Sequence, residues 1–139
     1  MAGEVAAELP PPVDDNEVLW RYLRPDWIVP PDKGGPRVSS AAFKERNPST
    51  PRGEVSVFRV ALLTDELREQ QARTWARAAE FRAVEARALG HAVEPDVTDN
   101  QHRSHAVVIP PVPPPSKPWE KNARKLAEQC TIVMLRGEG

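Results

Sequence analysis

Hydrophobic positions fall in short bursts separated by proline-rich or polar stretches, and the period within each burst assigns the elements. In "NEVLWRYLRPDWIVP", Val18, Leu19, Trp20, Tyr22, Leu23, Trp27, Ile28 and Val29 are crowded into a span that Pro25 interrupts. Either an early helical turn or a strand, followed by a second extended piece, fits that pattern. "GGPRVSSAAFK" opens on the turn signal Gly34-Gly35-Pro36 and continues as a short strand or strand-to-turn piece from Val38 to Phe43. After the polar loop "KERNPSTPRG", the run "EVSVFRVALL" sets Val55, Val57 and Arg59 against Ser56, Phe58 and Val60, the clearest strand of the first half. Thr64 then offers an N-cap with Asp65 and Glu66 in the first turn, and Leu67, Gln71, Trp75, Ala78 and Ala79 follow at helical spacing, which predicts a helix over 65–80.

In "RAVEARALG", Val84, Ala86 and Ala88 alternate with Glu85, Arg87 and Leu89, so a half-exposed strand ended by Gly90 is expected, with a continued helix as the alternative. The stretch from His91 to Ser104 reads as a polar loop, and "HAVVIP" as a buried strand stopped by Pro110. "PVPPPSKP" is an extended connector to Ser116, a second N-cap, with Pro118 tolerated in the first turn. Trp119, Ala123, Leu126, Ala127 and Cys130 then form one apolar stripe along a closing helix, and "TIVMLR" ends the domain as a strand. The expected architecture is α+β: one domain over 16–136, with a small mixed sheet of four to five strands packed with two helices. A flexible, acidic, proline-rich arm over 1–15 precedes it and a frayed 137–139 follows.

Composition narrows what such a domain does. At 139 residues the chain has room for one core. With 40% hydrophobic and 28% charged residues it is not a disordered composition, and its 16 prolines act locally. A formal net charge of -1 lacks the basic excess of a strong phosphate-backbone binder. Nucleic acid would have to be met by a local patch, and Lys117, Lys121, Arg124 and Lys125 supply the one basic side, diluted by Glu120 and Glu128. The single Cys130 excludes an intramolecular disulfide and a cysteine-based zinc cluster. "MAGEVAAELPPPVDD" has neither the basic nor the apolar region of a secretory leader, and no run reaches the roughly 20 apolar residues of a spanning helix. The expectation is a soluble, cytoplasmic protein without a membrane partner.

Four tryptophans invite two readings, core anchors or a stacking platform for bases beside Arg21 and Arg24. Ser39 and Ser40 lack the glycines of a G-x-S-x-G nucleophile elbow, and Gly34-Gly35-Pro36 offers neither the glycine spacing nor the N–H donors of a phosphate loop. Their hydroxyls are expected to bond local backbone. "EPDVTDNQHRSH" is the densest polar group: His102 and His105, three apart, could share a metal with Asp99, or one could act as a general base. "IPPVPPPSKP" has P-x-x-P spacing that an aromatic groove could read, although a strand-to-helix connector has the same composition.

"LWRYL", "VSSAAFK", "VSVF", "HAVVI" and "ARKLAEQC" together resemble a pattern in small uncharacterised bacterial proteins, a resemblance spanning Val18 to Cys130. It implies a bacterial origin and one domain, and no catalytic activity or cofactor. Arg21 with Ser39-Ser40 also superficially echoes the mono-ADP-ribosyltransferase pattern. Here the arginine and serines stand too close in sequence, and no glutamate is placed to complete it. Two functions follow as expectations. The first is a non-catalytic binding or accessory protein of a bacterial macromolecular assembly, with another protein as its partner and no cofactor. The alternative is a small hydrolase or nucleotide-processing enzyme in which His102 or His105 works with a serine or aspartate, and in which Ser39 or Ser40, Arg21 and His105 would have to converge in one cleft.

Overall fold

In the computed structural model, residues 10–44, 52–98 and 101–135 are described. The crowded first burst is a strand, β1 (Val18–Tyr22), whose alternation sends Leu19 and Arg21 to one side and Trp20 and Tyr22 to the other. Pro25 opens a 3-10 turn, Pro25–Trp27, and the chain then makes a two-residue ribbon, β2 (Ile28–Val29) with β3 (Arg37–Val38). The ribbon closes tightly at Gly35: a Cβ there would stand 1.8 Å from the Val29 carbonyl oxygen, so only glycine fits. Ser39 caps a third 3-10 turn of the same region, Ser40–Phe43, after Pro25–Trp27 and Pro31–Lys33, by accepting the Ala41 N–H.

β4 (Val55–Arg59) follows, and then α1 (Asp65–Thr74), capped by Thr64, whose hydroxyl accepts the Leu67 N–H. β5 (Arg77–Arg82) runs directly into α2 (Ala83–Ala88). β6 (Ala92–Pro95), β7 (His105–Ile109), α3 (Lys117–Glu128) and β8 (Thr131–Met134) complete the fold. The main sheet has the order β6-β7-β4-β1-β5-β8. Every neighbour in it is antiparallel, so the α+β class holds with six strands rather than four to five and without the parallel pairs of a mixed sheet.

Three assignments differ from the periodicity. The helix expected to reach Glu80 stops at Thr74, because Trp75 turns extended and stacks on Tyr22 at 6.1 Å while Ala78 and Ala79 are buried as strand residues between β1 and β8. Tertiary pairing overrides alanine's helical preference there. The strand expected over 82–89 is α2. Ala83 and Ala86, three apart, are both fully buried, the Glu85 carboxylate accepts the Arg82 N–H at 2.7 Å, and Gly90 ends the helix at φ 93°. Inside the expected polar loop, Ala92–Pro95 is a strand that buries only Val93.

The core lies on the Leu19 side of the sheet, where α3 packs against the Ser40–Phe43 turn and β3. Phe43 meets Phe81 edge-on at 5.6 Å, and Ala123, Leu126 and Ala127 of the expected stripe are buried. Val13 joins this core, and the carbonyls of Pro11 and Pro12 accept hydrogen bonds from Arg59. Residues 1–9 of the expected arm, and 137–139, lie outside the described residues. The opposite side carries Trp20, Tyr22, Phe58 and His105, with α1 beside them. That helix buries no residue and is held by Tyr22 bonding Gln71 and by Arg68 over the Trp20 ring. Among the described residues no helix is long and apolar enough to cross a membrane.

Candidate functional site

Strand register separates the residues that the enzyme reading needs together. Leu19 pairs with Arg59 and Trp20 with Phe58, while Phe58 pairs with His105. Directly paired residues share a face, so His105 sits with Trp20 and Phe58 on one side, and Arg21, with Leu19, on the other. Arg21 is committed there: Nε donates to the Ala42 carbonyl at 2.9 Å, Nη1 to the Ser56 carbonyl at 3.1 Å, and the guanidinium lies 4.8 Å from the Trp27 ring centroid. It thus ties β1 to the serine turn. Ser39 spends its hydroxyl as the cap of that turn, and Ser40, half-buried, is its first residue.

The two histidines are engaged separately. His105 is buried, its ring edge-on to Phe58 at 5.3 Å, with Nδ1 2.8 Å from the Asp96 carbonyl oxygen and 3.7 Å from the Asp96 carboxylate. The carbonyl can only accept, so the bridging proton sits on Nδ1. Burial alone would raise the Asp96 carboxyl, but the Thr98 hydroxyl and N–H outweigh it, with help from His105, and hold it below its ordinary range. The Nδ1 of His102 accepts the Ser104 N–H at 3.1 Å and lies 2.8 Å from the Ser104 hydroxyl. These contacts pin the turn entering β7. Asp99 lies outside the described residues, among which no three histidine, cysteine, aspartate or glutamate side chains are grouped to hold a metal. Lys117, Lys121, Arg124 and Lys125 are exposed on α3, interspersed with the exposed Glu120 and Glu128. The Cys130 thiol donates to the Leu126 carbonyl, and burial, with Glu85 adding, pushes it far above the range in which a nucleophilic thiolate forms.

The third histidine, in a stretch that reads as polar loop, is the least comfortable. His91 is 6% exposed, and neither of its ring nitrogens has a hydrogen-bond partner among the described residues; Trp119 Nε1 and Asn122 Oδ1 on α3 share that condition. Burial lowers its pKa from the ordinary 6.5, and the Asn122 amide, near but outside hydrogen-bond geometry, opposes this in part. The unfolded chain therefore takes up a proton near pH 6.5 that the folded chain refuses until lower pH, so stability falls as pH drops below about 6.5. Thermal midpoints at pH 7.5 and 5.5 are expected to differ more for wild type than for His91→Gln; equal differences would show that His91 is not the titrating group.

A concavity of another kind lies elsewhere. A groove of about 870 Å³ runs between the β2–β3 ribbon and β8, floored by Ile132 and Met134 and flanked by Ile28, Pro30, Arg37 and Arg77. The pairing of Arg77 with Met134 and of Ala79 with Ile132 sends these side chains to the Leu19 face, where the ribbon stands over them. β8 pairs only with β5, and its outer edge is free among the described residues. The Leu135 N–H bonds the Ala76 carbonyl, which makes 76 with 135 and 78 with 133 the hydrogen-bonded pairs. The N–H and C=O groups of Ile132 and Met134 accordingly point away from the sheet. "TIVM" marks a strand in the sequence, but that it ends the sheet depends on strand order, which periodicity does not encode. Comparison with protein-family models, curated proteins and solved structures finds no match to this chain.

Proposed function

We propose that the chain is a non-catalytic binding protein that engages another protein through the outer edge of β8 and the groove beside it. The observation that carries this is the contrast between the two ends of the sheet. The two edge strands are equally short, but β6 is guarded by Glu94 and Pro95, as edge strands commonly are. β8 consists of Thr131, Ile132, Val133 and Met134, without a charge or a proline, and Met134 is 45% exposed. An open edge supplies main-chain hydrogen bonds to an extended segment, and an adjoining groove sorts its alternate side chains. The candidate catalytic residues support the same reading from the other direction: Arg21, Ser39, His102 and His105 are each spent on a structural hydrogen bond. A role as an accessory subunit of a larger bacterial assembly belongs to this proposal.

Met134→Pro tests it. Proline there removes an N–H that faces outward and leaves the bonds to β5 in place, a position at which an edge strand tolerates it. The variant is expected to fold and to lose the partner that wild type captures from extracts of its host, while Met134→Leu keeps it. Undiminished capture by Met134→Pro would move the interface off β8.

A further inference from the structure

Resting on that reading of β8, we propose that the segment added to its edge presents a carboxylate side chain to the groove, where Arg37 and Arg77 receive it, with apolar side chains two residues to either side. The charges of the groove decide this. Among the described residues its lining contains two guanidiniums and no acid. Four other arginines are matched: Arg24 with Asp26, Arg52 with Glu54, Arg59 with Glu17 and Arg87 with Asp15. No ion pair or side-chain hydrogen bond joins Arg37 or Arg77 to a described residue, although one stands on the ribbon and the other on β5, facing the same space. A low-dielectric wall of Ile28, Pro30, Ile132 and Met134 strengthens whatever field the two cations make there.

An added strand alternates its side chains, so every second residue enters the groove and its neighbours point to the other face. Groove-facing residues then meet Ile132 and Met134 with apolar side chains and the guanidiniums with an acid, in the pattern apolar-x-acid-x-apolar. The same charges argue against a second copy of this chain on the edge. A two-fold β8-to-β8 pairing places the same patch on both sides of the interface. It would bring Arg37 and Arg77 of both copies together, with no acid among the described lining residues of either groove to separate them.

The probe is a blocked, fluorophore-labelled heptapeptide in which threonines alternate with valine, glutamate and valine, titrated with the full chain and read by fluorescence anisotropy. Binding is expected, about fivefold weaker when glutamine replaces the glutamate and weaker still with lysine. The gap should shrink with added salt. Arg77→Gln with Arg37→Gln should erase it, and Arg37→Glu, at an exposed site, should shift preference toward the lysine peptide. Met134→Pro should bind none of the three. Equal binding of all three peptides by wild type, with loss in Met134→Pro, overturns the acidic partner while leaving the edge reading intact. Equal binding by wild type and Met134→Pro overturns both. A concentration-dependent dimer that Met134→Pro abolishes overturns the proposal in favour of a second copy.

Discussion

Arg59→Ala is expected to destabilise the domain by about 3 to 5 kcal/mol, the scale of removing one member of a buried ion pair. Arg59 is 1% exposed at the end of β4, and four of the five N–H donors of its guanidinium are engaged. Nε and Nη2 reach the two carboxylate oxygens of Glu17 at 2.8 and 2.6 Å, and Nη1 and Nη2 reach the carbonyls of Pro11 and Pro12 at 2.7 and 3.2 Å. Truncation leaves a part-buried carboxylate with the Asp14 N–H as its remaining donor, takes the guanidinium from two carbonyls, and opens a cavity. Lysine cannot rescue it, because one ammonium does not span a bidentate carboxylate and two carbonyls. The same contacts give the acid limb of the stability profile. Burial works against ionisation of Glu17, but the Arg59 hydrogen bonds and charge and the Asp14 N–H outweigh it, so its pKa falls below the ordinary 4.5. That stability is whole above about pH 4.5 and is lost as pH falls through the depressed folded value. Chemical denaturation of wild type and Arg59→Ala at pH 7 and at pH 3.5 measures both effects. A loss under about 1 kcal/mol at pH 7 would mean that the pair behaves as a solvent-screened one.

Leu126→Ala should cost about 2 to 5 kcal/mol. Leu126 is fully buried where α3 packs on the Ser40–Phe43 turn, and its neighbours on the stripe, Ala123 and Ala127, are already too small to close a gap. Leu67→Ala on α1 is the matched control. Leu67 is half-buried on a helix that buries nothing fully, so a change within about 1 kcal/mol is expected there. Comparable losses at both positions would show that α1 belongs to the core as much as α3 does.

What the sequence made legible was decided locally. The caps at Thr64 and Ser116, the alternation from Val55, the apolar run from His105 and the stripe from Trp119 are each readable within a dozen residues, and each stands in the fold. Alanine defeated the period where it failed: Ala78 and Ala79 suit a helix by propensity, Ala86 and Ala88 fit an alternation by spacing, and the burial of Ala78 with Ala79 and of Ala83 with Ala86 decided against both. Arg59 occupies the inward phase of its strand, a legible oddity, but Glu17 lies 42 residues away and nothing local announces the pairing. Arg21 and His105 looked compatible on the page because sequence conceals which face of a sheet each residue takes. The groove was least legible of all, since the end position of β8 and the stance of a two-residue ribbon are properties of the assembled sheet.

The position of β1 at the middle of that sheet carries a consequence for how the molecule is made. Its neighbours, β4 and β5, both follow it in the chain, one beyond the ribbon and the other beyond α1 as well. During synthesis the strand with Leu19, Trp20 and Tyr22 therefore emerges with both edges bare, gains its first partner only when β4 arrives, and keeps one edge open until β5 does. Closing such long loops costs entropy before any contact repays it, so this interval is slow relative to hairpin formation. The nascent chain thus displays its most aromatic strand when it is least able to cover it, which makes "LWRYL" the segment for a chaperone to hold.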